Sequence, residues 1–291
     1  MQFSNFFSNT VHDSEIGDVL KYAFNERLAE VLIFIGGTMV WWVFVVTFFG
    51  TSMMFLYLVP LALAIAGYYL FYLDSKEVFI EHYAASENYT YSEYGEPSLL
   101  EGSAFKQGHS HTMKNVIRGH FENHEFQVFT FTYALGEGKE TCYYTSTVFE
   151  LDFEHPMPHM VLVSRYLENA VNVMVDGLLS LAYVSKSFPM VKSGKSYLAL
   201  EGDFQKYFNL YIDKEHSQEV LEIFSPDVMA DFIDYGKHYS VEFVDDKIYI
   251  FYGSEVNRRK ELDAFYALAR LLTSKMAFMF LKKKPDWLYV K

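Results

Sequence analysis

The sequence predicts an α+β fold, in which a two-helix transmembrane hairpin precedes a mainly antiparallel β-sheet domain with flanking helices. Two observations predict this fold. Residues 31–73 contain no charged side chain, and each half of the run has ~20 residues, the length that a helix needs to cross a bilayer. From residue 102 onward apolar residues recur with a period of two, which is typical of strands.

Composition excludes several classes of protein. The 291 residues carry a net charge of −13, which argues against a nucleic-acid binder that depends on a basic surface. One cysteine excludes a disulfide framework and a thiolate-rich zinc site. Aromatic residues make up 19% of the chain, so a disordered chain is excluded as well.

The predicted hairpin occupies residues 29–73, with helical runs at 31–50 and 53–73. No ionisable group lies inside it, which favours an anchor over a transporter. Glycines allow two helices to approach closely, and a proline kinks a helix. The residues predicted to shape this packing are Gly36, Gly37, Gly67 and Pro60. A buried hairpin in a soluble core is the alternative, but uncharged runs of this length are rare there.

Basic residues orient the predicted hairpin. Lys21 and Arg27 precede the first run and Lys76 follows the second, whereas the turn between the runs carries no basic residue. Because positive residues stay on the cytoplasmic side, both termini are expected to be cytoplasmic. The sequence therefore predicts a multi-pass protein of the inner cell membrane with two spanning helices.

The remaining segments surround this hairpin. Residues 126–133 and 141–153 alternate apolar and polar side chains on either side of the turn at Gly136 to Lys139, which predicts a long β-hairpin. Pro156 and Pro158 are expected to end its second strand. The predicted segments are an amphipathic segment at 1–28, a juxtamembrane helix and linker at 74–101, a cytoplasmic α+β domain at 102–253, and an amphipathic helix with a basic tail at 254–291.

A set of aromatic and turn motifs lies across residues 102–252. The motifs are Gly108-His109-Ser110, Asn115-Val116-Ile117-x-Gly119, Phe129-x-Phe131-x-Tyr133, Phe149-x-Leu151, Pro156-x-Pro158, Phe204-x-x-x-Phe208-x-x-Tyr211 and Phe224-x-Pro226-Asp227-x-Met229. Together they resemble an uncharacterised bacterial membrane-protein family. The resemblance implies an N-terminal transmembrane anchor and an α+β domain of unknown function, and it implies no catalytic role for these residues.

Histidines are the candidate metal ligands. In a strand, His109 and His111 would lie on one face about 6.6 Å apart, close enough to share a metal. Exposed loop histidines explain the same pattern, and no H-E-x-x-H spacing occurs in the sequence. We therefore retain His109 and His111 as weak candidates and predict no cofactor.

Other patterns have structural explanations. Gly136-x-Gly138-Lys139 lacks the glycine and hydroxyl residue that a phosphate-binding loop requires, so a hairpin turn explains it better. Cys142 lies mid-strand without an activating neighbour, which favours a packed residue over a nucleophile. At the end of the last amphipathic helix, three basic residues complement the helix dipole or contact lipid headgroups. These residues are Lys282, Lys283 and Lys284.

No catalytic motif emerges, so the sequence predicts a non-enzymatic, membrane-anchored protein. Its cytoplasmic domain is expected to bind a protein partner or to self-assemble at the membrane. The expected partners are the lipid bilayer and a protein or a second copy, and no nucleic acid. The alternatives are a membrane-tethered enzyme with a histidine metal site and a small subunit of a membrane complex.

Overall fold

The structure is a computed structural model, and it describes residues 28–49, 62, 79–121, 124–138, 141–166, 195–256 and 258–282. The chain divides into two compact units. The first unit comprises Met1–Glu87 with Asn257–Lys260, and the second comprises Asn88–Val256 with Glu261–Lys291.

The first unit contains helix α1, Leu28–Phe49, and a second helical stretch at residues 79–86. Phe79, Tyr83 and Ala84 are buried in that stretch, at the spacing of one helix face. The guanidinium of Arg259 forms an ion pair with Glu87 and lies 5.4 Å from the centre of the Tyr83 ring.

The second unit is built on a seven-stranded sheet in which every described pairing is antiparallel. Six strands follow the spatial order β1-β2-β3-β4-β6-β5, and β7 pairs with β4. The strands are β1 Thr90–Tyr94, β2 His109–Phe121, β3 His124–Leu135, β4 Cys142–Ser164, β5 Ser196–Leu198, β6 Phe208–Ile212 and β7 Tyr239–Tyr252.

The central strand β4 is 23 residues long and pairs with three neighbours. Its residues 142–151 pair with β3, its residues 160–164 pair with β6, and β7 borders both parts. Pro156 and Pro158 do not end the strand. They lie where the pairing with β7 shifts register on both sides of Met157, and such bulges tolerate residues that lack an N–H donor.

One face of the sheet is covered by residues 97–106, which we call the strap. The strap contains the two 3-10 turns Pro97–Leu99 and Ser103–Lys106. The ring of Phe105 lies 4.9 Å from the rings of both Phe131 and Tyr249, in edge-to-face geometry. These aromatic pairs add to the burial of the apolar surface and hold the strap on the sheet.

The opposite face of the sheet packs against helix α5, Arg259–Lys282. The Tyr266 ring lies 5.1 Å from Phe126 and 5.3 Å from Phe149, and Phe265 lies 5.0 Å from Tyr239. Because side chains on a strand alternate between the two faces, Phe126 and Val128 face this helix while Phe129 and Phe131 face the strap.

Short helices flank the last strands. An aromatic cluster formed by Phe204, Phe208, Phe224 and Phe232 joins them, with ring centroids 4.9–6.5 Å apart. Pro226 occupies the first turn of α4, as its fixed backbone torsion favours. The helices are α2 Phe204–Tyr207, α3 Ser217–Ile223, α4 Pro226–Asp231, continued by a π-helix at Phe232–Gly236, and α5 Arg259–Lys282.

The predicted two-helix transmembrane hairpin is wrong. Over the part of the chain that the structure describes, no helix combines the length and the apolar character that a membrane span requires. Apart from Ala62, the described helical residues that follow α1 begin at residue 79, and the stretch 79–86 includes Glu81 and His82. The predictions of an integral membrane protein and of a multi-pass location in the inner membrane depended on this hairpin, and they are wrong for the same reason.

Candidate functional site

The two candidate metal ligands lie at the start of β2, where the strand is irregular. Ser110, between them, has a φ of 56°, and the register with β3 shifts between His109 and Thr112. The simple alternation that would place both imidazoles side by side is therefore interrupted. Over the described ranges, no group of three or more His, Cys, Asp or Glu side chains is placed to hold a metal ion.

Each of these histidines forms a hydrogen bond with the backbone carbonyl of a different residue. His109 Nε2 lies 2.9 Å from the oxygen of Gly136, whereas His111 Nε2 lies 2.6 Å from the oxygen of Gln107. The imidazole ring of His111 also lies 5.8 Å from the ring of Phe131. These contacts tie loops to the sheet, and metal binding by the pair stays a prediction from the sequence.

The other predicted site residues are only partly described. Gly36 and Gly37 lie in α1, and Lys282 is the last residue of α5. The remaining predicted positions lie outside the described residues. They are Pro60, Gly67, Lys283 and Lys284.

A buried carboxylate, that of Glu242, is the centre of a polar cluster in the second unit. The side chain of Glu242, on β7, has no exposed surface. It accepts hydrogen bonds from the backbone N–H of Ser103 at 2.8 Å and of Ala104 at 3.3 Å, and also from the Ser103 hydroxyl. His159 Nε2, on β4, lies 2.8 Å from the same carboxylate. Glu242 thus joins β4, β7 and the strap.

This arrangement keeps the carboxylate ionised. Burial alone would raise the pKa of Glu242, but the hydrogen bonds from His159 and Ser103 outweigh it and hold the pKa below the ordinary value. A buried charge that receives this many donors is compensated, and removing a donor would leave it uncompensated.

The hydrogen bonds of this cluster have a structural role. The hydroxyl of Ser103 and the imidazole of His159 both bond to Oε1 of Glu242, so the hydroxyl proton is directed to the carboxylate. A nucleophilic serine would instead donate this proton to the imidazole. The cluster therefore holds the strap to the sheet in the manner of a cap at the start of a short helix.

A second polar cluster lies on the same face of the sheet. Lys247 Nζ lies 2.9 Å from Glu150 and 2.7 Å from Asp152, and the Gln127 amide donates to Glu150 at 2.6 Å. Burial lowers the pKa of Lys247, but the bonds to the two carboxylates outweigh it and raise the pKa above its ordinary value. This cluster joins β3, β4 and β7 across their pairing.

Helix α1 has an apolar and exposed surface, unlike the other helices among the described residues. Residues 31–49 contain no charged side chain. Ten large apolar side chains of this helix are 39–75% exposed, whereas Val45 is 1% exposed. The ten are Leu32, Ile33, Ile35, Met39, Val40, Trp41, Trp42, Val43, Phe44 and Val46.

The exposed apolar area of α1 is larger than the largest apolar patch of a typical monomeric protein in water. Each of the ten side chains is about half exposed. If a large side chain has about 200 Å² of surface, each one exposes roughly 100 Å², and together they present roughly 1,000 Å² of apolar area. The largest apolar patch of a typical monomer is about 300–600 Å². A surface of this size is typical of a binding surface, and we take α1 as the candidate functional site.

No protein-family model matches the chain, and no curated protein matches it. Among solved structures, the chain is similar to the crystal structure of the mycobacterial trehalose monomycolate transport factor A, TtfA, with a TM-score of 0.46 and 10% sequence identity. The similarity covers 70% of this chain and 94% of that chain. Because the TM-score is below 0.5 and the sequence identity is 10%, this similarity indicates nothing about the function of this chain.

Sequence reasoning missed Glu242 and its partners. The signal was present, because the acid interrupts an otherwise apolar stretch, Val241 to Val244, in a strand with both faces buried. A charged residue in such a position requires compensation. The identity of the donors, 83 and 139 residues away, is set by the tertiary fold and has no local signal.

Proposed function

We propose that this chain is a non-enzymatic binding protein that assembles with a protein partner or with itself through the exposed apolar surface of α1. The observation that carries the proposal is the set of ten exposed apolar side chains on α1, which has no charged side chain from residue 31 to residue 49. Covering them removes apolar area from water, at about 25 cal/mol per Å².

The distribution of charge supports this choice of surface. The chain carries a net charge of −13, and like charges on approaching acidic molecules repel each other. Residues 31–49 bring no charge to the contact, so a partner can approach α1 without the desolvation of an ionised group. Protein interfaces are depleted of charge at their cores in the same way.

The polar clusters of the second unit also support a binding role. The donors around Glu242 and the carboxylates around Lys247 are engaged in joining strands and strap. Their hydrogen bonds support a rigid scaffold.

Site-specific photo-crosslinking in cells that express the full chain tests this proposal. A benzophenone amino acid replaces Val40, which is 70% exposed in α1, and in a matched control it replaces Leu221, which is 50% exposed in α3. We expect a discrete protein-sized adduct from position 40 that is absent from position 221. Val43→Asp, one turn away on α1, should abolish that adduct, whereas Leu221→Asp should not.

The composition of the adduct decides the outcome. An adduct that contains a defined protein, or a second copy of this chain, supports the proposal when Val43→Asp removes it. An adduct with phospholipid alone, or no adduct at position 40, would overturn it. Circular dichroism of the Val43→Asp variant controls for folding, and the exposed position of Val43 predicts an unchanged spectrum.

A further inference from the structure

A serine and a histidine at the start of β2 form a hydrogen-bonded pair. His109 Nδ1 lies 2.9 Å from the hydroxyl oxygen of Ser110, and His109 Nε2 lies 2.9 Å from the backbone oxygen of Gly136. Both residues of the pair are exposed, so a molecule from solution can reach them. The pair belongs to Gly108-His109-Ser110, a motif that has no role in the proposed function.

The carbonyl of Gly136 fixes the tautomer of the neutral imidazole. A carbonyl oxygen can only accept a hydrogen bond, so Nε2 of His109 carries the proton. Nδ1 of the neutral ring then has no proton, and it accepts the hydrogen bond that the Ser110 hydroxyl donates. The hydroxyl proton is thus directed to a base that a third group holds in place, which is the arrangement that activates a nucleophilic serine.

The hydrogen bonds of Ser103 and Ser274 provide the contrast. Ser103 donates its hydroxyl proton to the carboxylate of Glu242, which has no exposed surface. Ser274, an exposed residue of α5, donates to the backbone oxygen of Leu271 at 3.0 Å, and a carbonyl oxygen is too weak a base to take up the proton. Ser110 differs from both because its acceptor is an exposed imidazole.

The backbone holds Ser110 in an unusual conformation. Its φ of 56° lies in the left-handed region, which a residue with a Cβ atom rarely adopts. Gly108, two residues earlier, has a φ of 64°, and a Cβ atom there would lie 2.1 Å from the oxygen of Ala134. The chain therefore enters β2 through a turn that requires glycine and strains the serine. Strained residues of this kind cluster at functional sites.

From the hydrogen bonds, the fixed tautomer and the strained backbone together, we infer that Ser110 is a nucleophilic serine that takes up an acyl group from an activated ester. Oγ forms a bond to the carbonyl carbon of the ester, and its proton passes to Nδ1 of His109. The bond from that carbon to the leaving oxygen breaks, and the leaving alcohol takes the proton from the imidazolium. The products are acylated Ser110, a free alcohol and a neutral imidazole.

The charge of the chain favours an acyl donor over a phosphoryl donor. Phosphoryl donors are polyanions, and a chain with a net charge of −13 repels them. An ester is attacked at an uncharged carbonyl group, so this repulsion does not act on it. Acylation of the chain itself consumes one equivalent of the ester and requires no turnover. The inference therefore adds a covalent modification site and does not depend on the proposed function.

Reaction of the purified full chain with 4-nitrophenyl acetate tests this inference. Peptide mapping by mass spectrometry after timed exposure measures the acetyl group at each serine. We expect Ser110 to be acetylated about a hundredfold faster than Ser274, the matched exposed serine, because a positioned base contributes about 10²–10⁴-fold. Ser110→Ala should remove this acetyl group. His109→Gln should lower the rate at Ser110 to the rate at Ser274, because an amide does not take up the proton.

Two further measurements separate a base from a merely structural histidine. Circular dichroism should be the same for the native chain and for both variants, since the exchanged side chains are exposed. Nitrogen NMR of the full chain with ¹⁵N-labelled histidine, at alkaline pH where the imidazole is neutral, should show His109 protonated at Nε2.

Three results would overturn the inference. The first is acetylation of Ser110 that is no faster than that of Ser274, or that proceeds at the native rate in His109→Gln. The second is an acetyl group on the imidazole of His109 in place of Ser110, because the imidazole would then be the nucleophile. The third is a His109 ring protonated at Nδ1, because that nitrogen could not accept the proton of the serine.

Discussion

Glu242 and Ser103 are 139 residues apart in the sequence, yet the carboxylate of the first accepts both the backbone N–H and the hydroxyl of the second. The contact attaches the strap to β7 and places Phe105 among the aromatic rings of the sheet. Because the carboxylate has no exposed surface, water cannot replace these donors when the contact is lost.

Replacing Glu242 should therefore destabilise the second unit. In Glu242→Gln the charge is lost, and an amide N–H₂ group faces donors that need an acceptor. We expect the free energy of unfolding to fall by about 3–5 kcal/mol, the range for breaking a buried charged contact. Urea denaturation of the full chain, monitored by tyrosine fluorescence, measures this loss of unfolding free energy.

Glu125→Gln is the matched control for this prediction. Glu125 also accepts a hydrogen bond from a histidine, His120, at 3.1 Å, but both side chains are 70% exposed. A surface pair of this kind contributes about 0–1 kcal/mol. Equal losses in the two variants would show that burial of Glu242 does not set its contribution.

The depressed pKa of Glu242 makes its contribution depend on pH. The carboxylate is ionised at neutral pH in both states, and the folded pKa lies below the ordinary value of 4.5. Its stabilisation is therefore present in full above about pH 5.5 and is lost as the pH falls below 4.5 toward the folded pKa. The gap in unfolding free energy between the native chain and Glu242→Gln should shrink on acidification. A gap that is constant, or grows, between about pH 5.5 and pH 3 would contradict this prediction.

Alternation and turn chemistry predicted the pairing of β3 with β4. Phe126 lies opposite Leu151, and the left-handed φ of 58° at Gly138 lies in the turn between them. The continuation of β4 beyond Pro156 was not predictable, because the bulge that accommodates the proline depends on how β7 pairs. The absence of charge from residue 31 to residue 49 identified an apolar helix, but it could not identify what covers that helix.

Two glycines with the same backbone conformation should differ in their tolerance of alanine. Gly108 and Gly138 have φ values of 64° and 58°, a region that costs a non-glycine residue about 1–2 kcal/mol. A Cβ on Gly108 would lie 2.1 Å from the oxygen of Ala134, whereas a Cβ on Gly138 meets nothing within 4 Å. Gly108→Ala should therefore cost about 1–3 kcal/mol more than Gly138→Ala. Thermal unfolding of both variants measures the difference, and equal melting temperatures would count against the close approach at Gly108.

The charge of Lys247 compensates Glu150, whose side chain is 7% exposed. Lys247→Met should lower the free energy of unfolding by about 3 kcal/mol, the lower end of the range for a broken buried pair, because the second carboxylate, Asp152, is 47% exposed and reaches water. Glu150→Gln should restore at least about 1 kcal/mol in the Lys247→Met background, since the uncompensated charge is removed and an oxygen still accepts from Gln127. A double-mutant cycle in urea measures both effects. If the double variant is no more stable than Lys247→Met alone, the buried charge of Glu150 is not the source of the loss.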